Sequence, residues 1–594
     1  MKQPLVVLKF GSSVLADRCC LTAVVHEIYR YYRRGYDVLV VVSAIGRHTD
    51  VLLDQARDIT AAMAPDTALA ALLATGEQQS AVLLTMALHR AGIDSTLLSP
   101  ASIDFTLSGD RLNAVPVAVN IEAIRTAFSA TQVVVLPGYA GQHEQGGTAL
   151  MGRGGSDLTA VFLAEQLGAT ISRLVKDVDG IYERDPAEAD TNKADTKGTD
   201  ERPHRYTSIS YEEALRVSGV LVQAKAIEYL KARSATARVC ALLREDGTDI
   251  GSPSTRSRDA KVLPPLKVLL LGLGQVGQGV YQHLLKLGQF FEVIGICVRD
   301  VDKERDCKVP KTLLKSDIAE LMTVPHDLLV DVCGDRHAAF RAIEECLQAG
   351  RSAVTASKRL VADRGAALMA IASKSGACFE YSGAVGGSAP MIETLKRALT
   401  QGAVVRLRGV LNGTCNHVLD RVAEGISFDD AVVNAMEQGF ADADISHDLS
   451  GKDTEDTLRI LARIAFGAEH DGMPIWREGL KSVTAREIKL AKTRGQVIRL
   501  VATLEPEGQA SVRPESLPID DFLAGTQREE NRLIINGAGG RTWQVSGKGA
   551  GRWSIAEAIV ADMLEIHAQA LRSTVPLPAP APVSGVLTES LASS

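Results

Sequence analysis

The chain has 594 residues, a length that suits two to four domains of roughly 100–200 residues rather than a single core. Apolar residues make up 46% and charged residues 23%, and the net charge of −7 gives no basic footprint for nucleic acid or an anionic membrane. No run approaches the roughly 18 apolar residues of a membrane span, no charged-then-apolar leader precedes the first strand, and nine cysteines are dispersed without metal or disulfide spacing, so a cytoplasmic chain with reduced core thiols is expected.

The first elements alternate short β-branched runs with long helical stretches. Leu5-Val6-Val7-Leu8, Val38 to Val42, Gln132 to Leu136 and Ser172 to Val175 read as buried parallel strands. Lys9 ends the first of these and is followed by Gly11, Ser12 and Ser13, small residues that let backbone amides approach phosphate oxygens. Far downstream, Gly152-Arg153-Gly154-Gly155-Ser156-Asp157 opens a predicted helix and adds helix-terminal amides and a guanidinium able to fork onto a carboxylate. Phosphoryl transfer needs such a set, because it is mainly positioning and charge neutralisation. The segment from Ala187 to His204 is polar and reads as an exposed insertion, and Glu245 to Ala260 as part of a polar linker.

A second α/β unit starts at Lys267. Its run Val268 to Leu271 is closed by Gly272-Leu273-Gly274-Gln275-Val276-Gly277 and a helix, the context in which G-x-G-x-x-G binds a dinucleotide pyrophosphate. The next strand, Val293 to Val298, ends at Arg299-Asp300. Arg299 suits a 2′-phosphate and Asp300 a ribose hydroxyl, so NADP and NAD both stay open, with a lean to NADP. The last residues, 573–594, carry repeated Pro, Ala and Ser and are expected to be a disordered tail.

The order of Lys9-Phe10-Gly11, Ser43 to Asp50, Gly76-Glu77, Gly152 to Asp157 and Lys176-Asp177-Val178-Asp179-Gly180-Ile181-Tyr182 resembles the aspartate kinases over residues 5–243. The resemblance implies the amino-acid-kinase fold for a domain spanning 1–243 and an ATP site served by Mg²⁺. It implies Lys9 and Asp157 as catalytic groups, and Ser43, Thr49, Glu77, Arg153 and Ser156 as substrate contacts. Gly11, Ser12, Lys176, Asp177, Asp179, Tyr182, Asp185 and Pro186 would line the ATP pocket. Two departures stand out: Ser12 and Ser13 also look like glutamate 5-kinase, and the loop Gly219 to Lys225 is one residue short and lacks the lysine the family places there.

Val354-Thr355-Ala356-Ser357-Lys358, Ala384 to Pro390, Leu411-Asn412-Gly413-Thr414-Cys415-Asn416, Gly439 to Asp444, Gly451-Lys452-Asp453 and Gly547 to Gly551 resemble homoserine dehydrogenase over about residues 265–572. This implies a Rossmann domain over 267–395 and 545–572, joined to the first half by a linker at 244–266. An α/β substrate and dimerisation domain would be inserted at 396–544. By the resemblance, Lys358 is catalytic and also a cofactor contact, with Gly272, Gly274, Gln275, Val276, Gly277 and Arg299. Asp442, Asp448 and Asp453 are the substrate-site acids. Three positions depart from the family: Asp442 for glutamate, Thr457 for a second lysine, and Ser382 for a glutamate associated with a monovalent cation. Together they suggest weakened dehydrogenase chemistry.

Taken as a whole, the chain resembles bifunctional aspartokinase–homoserine dehydrogenases without the ligand-binding ACT domains that usually lie between the two enzymes. The implied substrates are aspartate, ATP and aspartate semialdehyde or homoserine, and the implied assembly is a homodimer or homotetramer. Two other readings are carried: a kinase whose second half binds a dinucleotide without turnover, and a glutamate-type kinase fused to a dehydrogenase of changed substrate.

Overall fold

The computed structural model describes residues 3–60, 64–184, 203–219, 221–257, 263–437, 445–467, 470, 472–505 and 509–573. The polar insertion up to residue 202, the tail beyond 573, and the segment 439–444 lie outside the described residues.

Each of the four N-terminal β-branched runs forms a strand: Leu5–Phe10, Asp37–Val42, Val133–Pro137 and Ile171–Lys176. They lie side by side and parallel at the centre of a nine-stranded sheet, with helices on both faces. Near-continuous apolar sequence is what a strand covered on both faces requires. The four side chains Val38, Leu39, Val40 and Val41 are all fully buried.

The stretch read as linker departs from expectation. Thr248–Ile250 and Thr255–Ser257 are strands of the first sheet, flanking Arg205–Ile209 on either side. Its polar composition concealed this because the polar groups are satisfied internally. The Thr248 hydroxyl is fully buried, donates to the Tyr206 carbonyl at 2.5 Å and accepts from the Ile181 amide at 2.8 Å. Asp249 takes a two-pronged contact from Arg238, both arms at 2.6 Å.

The second sheet has six parallel strands. In chain order they are Leu266–Leu271, Phe291–Cys297, Leu314–Lys315, Leu328–Asp331, Ser352–Thr355 and Phe379–Glu380. In space the third lies outermost, followed by the second, first, fourth, fifth and sixth. That reversal beside the first strand is the switch point at which doubly wound sheets open a crevice for dinucleotides. A third, mostly antiparallel sheet of six strands is built from residues between Val404 and Lys548. The C-terminal helix Arg552–Ser573 then returns to pack on helix Gln275–Lys286 of the second sheet.

The same C-terminal helix also meets helix Leu21–Arg33 of the first half. Arg33 bridges Asp562 at 2.9 Å and Glu393 at 2.8 Å, and the Ser388 hydroxyl donates to the Gly92 carbonyl at 2.9 Å. The cysteines are all free, as expected, but only Cys240, Cys297, Cys346 and Cys415 are buried, and Cys19 is exposed. The notion of uniformly core thiols is therefore corrected: Cys19 and Cys20 sit on a turn capped by Asp17, away from any core.

Candidate functional site

Two large cavities open at the carboxyl ends of the parallel strands of the first two sheets, and each has a lysine–aspartate pair at its heart. In the first, strand Leu5–Phe10 delivers Lys9 and the adjacent strand Ile171–Lys176 delivers Lys176 at its last position. Helix Gly155–Leu167 begins opposite them and carries Asp157 in its first turn. The Lys9 ammonium lies 2.7 Å from one Asp157 oxygen and the Lys176 ammonium 2.8 Å from the other. All three side chains are buried.

The glycine-rich turn before that helix explains its residue choice. Gly152 and Gly154 have φ of 71° and 76°, in the left-handed region, and a Cβ on Gly154 would come within 2.0 Å of the Gln223 side chain. The helix starts without a side-chain cap; the Gly155 and Asp157 amides are taken by the Gly152 and Gly154 carbonyls at 3.0 Å each, which leaves the Ser156 amide as the anion donor of this turn. The cavity, of about 900 Å³, gathers Lys9, Gly11, Ser12, Ser43, Thr49, Glu77, Arg153, Ser156, Asp157, Lys176, Asp177 and Tyr182. Asp179 stands behind this lining, accepting from the Tyr182 hydroxyl at 2.7 Å and from Arg205 at 3.0 Å. Asp185 and Pro186 lie outside the described residues.

Burial and charge set the protonation of this site. Burial pulls the Lys9 ammonium down to about 8, with Asp157 opposing the shift and Lys176 adding to it. Burial alone would raise the Asp157 carboxyl, but the two ammoniums outweigh it and hold it below the usual carboxylate range. Glu77 has no such cation in contact. Burial pushes its carboxyl up to about 7 although the Ala44 amide donates to it at 3.2 Å, and its second oxygen has no hydrogen-bond partner.

The second cavity, of about 1480 Å³, lies over the switch point of the Rossmann sheet and gathers Gly272, Gly274, Arg299, Lys358 and Asp453. Gly272 has φ of 99° and a Cβ there would strike the Val332 carbonyl at 2.8 Å; one on Gly277 would strike the Gly272 carbonyl at 2.4 Å. Gln275, Val276 and Gly277 form the first turn of helix Gln275–Lys286, whose Gly274 cap leaves its amides uncapped by any side chain. Gly274 faces open space, so a ligand can approach the backbone there.

Lys358 begins helix Lys358–Ser375 and donates to Asp453 at 2.7 Å. The Asn412 amide donates to Asp453 at 2.9 Å and to Asp448 at 2.7 Å, tying the two acids together. Burial would raise Asp453, but Lys358 and Asn412 outweigh it and keep the carboxyl low. Thr457 is buried and its hydroxyl donates to the Asp453 backbone carbonyl at 3.2 Å. Lys452 turns to Glu455 and Asp456, 3.0 Å from each. The Ser382 hydroxyl donates to Glu393 at 2.7 Å. Asp442 lies outside the described residues.

Sequence reasoning missed several residues that these cavities use. Tyr139 lines the first cavity with φ of 71°, a rare conformation for a residue with a Cβ, and burial pushes its phenol up to about 12. Nothing in its local sequence marks it. Asn412 lies in the Leu411–Asn416 motif beside a second carboxamide, Asn416, and only the fold sets it against the two acids while Asn416 turns to the Glu530 carbonyl. Arg359 and His447 also line the second cavity. Lys225, beside the shortened loop, is engaged with Asn113 and the Met151 carbonyl.

Comparison with known proteins divides the chain at the same place. Residues 4–236 match the amino acid kinase family. Residues 272–382 match the homoserine dehydrogenase NAD-binding domain, and residues 390–564 match homoserine dehydrogenase. The chain is 32% identical over 316 residues to the homoserine dehydrogenase of a Synechocystis species, an alignment covering 51% of this chain and 73% of that protein. It is 30% identical to the homoserine dehydrogenase of Corynebacterium glutamicum, covering 50% and 71%. A homoserine dehydrogenase structure from Thiobacillus denitrificans is 28% identical with a TM-score of 0.48, covering 52% and 76%.

Proposed function

The chain belongs to the homoserine dehydrogenase family and is a bifunctional aspartate-pathway enzyme with an amino acid kinase domain fused ahead of the dehydrogenase, and on that basis we propose the chemistry of each cavity. The first phosphorylates the side-chain carboxylate of L-aspartate from Mg-ATP. The second interconverts aspartate semialdehyde and L-homoserine with NADP(H). The observation that carries both is the buried Lys9–Asp157–Lys176 cluster in one cavity and the Lys358–Asp453–Asn412 cluster in the other.

In the kinase, Lys9 and Lys176 place two ammoniums where charge develops on the transferring phosphoryl group, and Asp157 fixes both by one carboxylate. The Ser156 amide, at the start of the helix beyond Gly154, completes the cradle. Arg153 forks onto the α-carboxylate of aspartate, and Thr49, Ser43, Ser156 and Glu77 complete the substrate contacts. Tyr182, braced by Asp179, and Asp177 flank the nucleotide side.

In the dehydrogenase, the tight approach at Gly272 and Gly277 and the open space over Gly274 fit a dinucleotide pyrophosphate. When bound, the nicotinamide exchanges a hydride with the aldehyde carbon of the substrate. Lys358 holds a proton beside that oxygen, and Asp453 holds Lys358 in place. Arg299 favours the 2′-phosphate of NADP, because one Asp300 oxygen is already spent on the amides of Asp302 and Lys303. Lys452 does not replace the ammonium missing at Thr457, since it is committed to Glu455 and Asp456. Lys358 therefore carries the proton chemistry.

The test is a pair of assays on the full chain. ADP release is followed with aspartate and with glutamate, and NADPH or NADH oxidation with aspartate semialdehyde. Turnover of aspartate over glutamate and of NADPH over NADH is expected. A glutamate preference would reassign the first cavity, and absence of semialdehyde reduction with both nucleotides would reassign the second.

A further inference from the structure

Where the kinase half meets the dehydrogenase half, three helices bring together His26 from Leu21–Arg33, His283 from Gln275–Lys286 and Glu557 from Arg552–Ser573. Their exposures are 1%, 4% and 1%. One nitrogen from each imidazole and one Glu557 oxygen lie within 4.8 Å of one another, and this is the only such trio of His, Cys, Asp and Glu side chains among the described residues. The imidazoles meet edge to face with centroids 4.9 Å apart, and His283 stacks on Trp553 at 5.4 Å.

The polar atoms of this trio are poorly satisfied. His26 Nδ1 and Glu557 share a single hydrogen bond of 2.5 Å. His26 Nε2, His283 Nδ1 and the second Glu557 oxygen are buried without a hydrogen-bond partner. An unpaired polar atom in the interior is costly, and three in one place demand a shared explanation. Three cations lie nearby: Arg90 and Arg552 sit over the Trp553 ring at 4.7 and 5.0 Å, Arg552 also bridges Asp306 at 2.9 Å, and Lys286 donates to Thr22 at 3.0 Å.

We propose that His26, His283 and Glu557 bind a divalent transition-metal ion that ties the kinase half to the dehydrogenase half. Two imidazole nitrogens and one carboxylate oxygen suit Zn²⁺ best, with Co²⁺ and Ni²⁺ able to substitute, and water takes the remaining position. Because the ligands come from both halves, the ion binds only when the two are docked, so its binding energy adds to the stability of that interface. No group used by either proposed reaction belongs to the trio.

The experiment uses the full chain without nucleotide, dialysed against chelator and titrated with Zn²⁺. One ion bound per chain at micromolar or tighter affinity is expected, together with a rise in melting temperature that chelator reverses. Glu557→Gln, close in shape, and His283→Gln should each weaken binding by at least about tenfold and abolish the chelator effect. Absence of zinc binding by the unmodified chain, or binding unchanged in both variants, would overturn the proposal. Should either variant fail to fold, Co²⁺ in the unmodified chain decides. A four-coordinate spectrum without thiolate charge transfer supports the trio, whereas a thiolate band or a six-coordinate spectrum rejects it.

Discussion

Replacing Lys9 and Asp157 separately distinguishes a catalytic ammonium from a merely structural ion pair. Lys9 and Lys176 share the Asp157 carboxylate, at 2.7 and 2.8 Å. In Lys9→Ala the carboxylate keeps Lys176 as its partner, so no unpaired charge is left buried and the protein should fold with little loss of stability. The transferring phosphoryl group, however, loses a preorganised cation, and such losses cost about 10²–10³-fold in turnover, or roughly 2.7–4 kcal/mol. Asp157→Ala does the reverse: it strands two buried ammoniums side by side, and breaking a buried pair in this way costs about 3–5 kcal/mol. Part of that penalty is relieved when Lys9, already lowered to about 8, gives up its proton. Initial-rate ADP assays and thermal melts at pH 7 on both variants give the test. Lys9→Ala with wild-type turnover, or Asp157→Ala melting like the parent, would refute this account of the cluster.

The remaining expectations follow from the same geometry. Because burial lowers Lys9 to about 8, its charged form is lost as pH rises past that value, so kinase kcat/KM for ATP should fall above about pH 8; a profile flat to pH 10 would contradict it. Glu77 is raised from 4.5 to about 7 by burial, so the folded state binds the extra proton between those values and stability declines as pH rises through that window. Glu77→Gln should therefore raise melting temperature at pH 8, by at most about 3 kcal/mol equivalent, and change little at pH 4; equal shifts at both pH values would show another cause. Lys358→Ala should cut semialdehyde reduction by about 10²–10³-fold while NADPH binding, measured by fluorescence, persists. Millimolar threonine should not inhibit the kinase cooperatively, since Thr248–Ile250 and Thr255–Ser257 belong to the kinase sheet and only residues 258–265 separate that sheet from the strand Leu266–Leu271; cooperative inhibition mapped to 244–266 would contradict it.

How far the sequence revealed these sites depends on how local each signal is. Lys9, the Gly152–Asp157 turn and the Gly272–Gly277 turn are legible because a strand end, a glycine that must adopt positive φ and a helix start are all encoded within a few consecutive residues. The strand Thr248–Ile250 was not legible, because what makes a polar tripeptide a buried strand is the Tyr206 carbonyl and the Ile181 amide waiting for the Thr248 hydroxyl. Tyr139 and Asn412 escaped for the same reason: one is defined by a backbone angle and the other by two acids far along the chain.

The boundary between the two enzymes shows that limit most clearly. His26 sits mid-helix among apolar residues and reads as an ordinary core histidine, and His283 and Glu557 follow no metal-ligand spacing. Only the docking of helix Leu21–Arg33 against the C-terminal helix sets them together, alongside the Arg33 bridge to Glu393 and Asp562. Arg33, its side chain 12% exposed, lies between two carboxylates, and without it Asp562, itself fully buried, would lose its cation inside the interface. The halves are thus held by contacts that neither could satisfy alone. A kinase fragment ending near residue 257 would strip His26 and Arg33 of their partners and uncover Ala23, while the apolar face of helix Leu21–Arg33 stays packed on the kinase sheet, so what the fusion satisfies is the polar side of this helix.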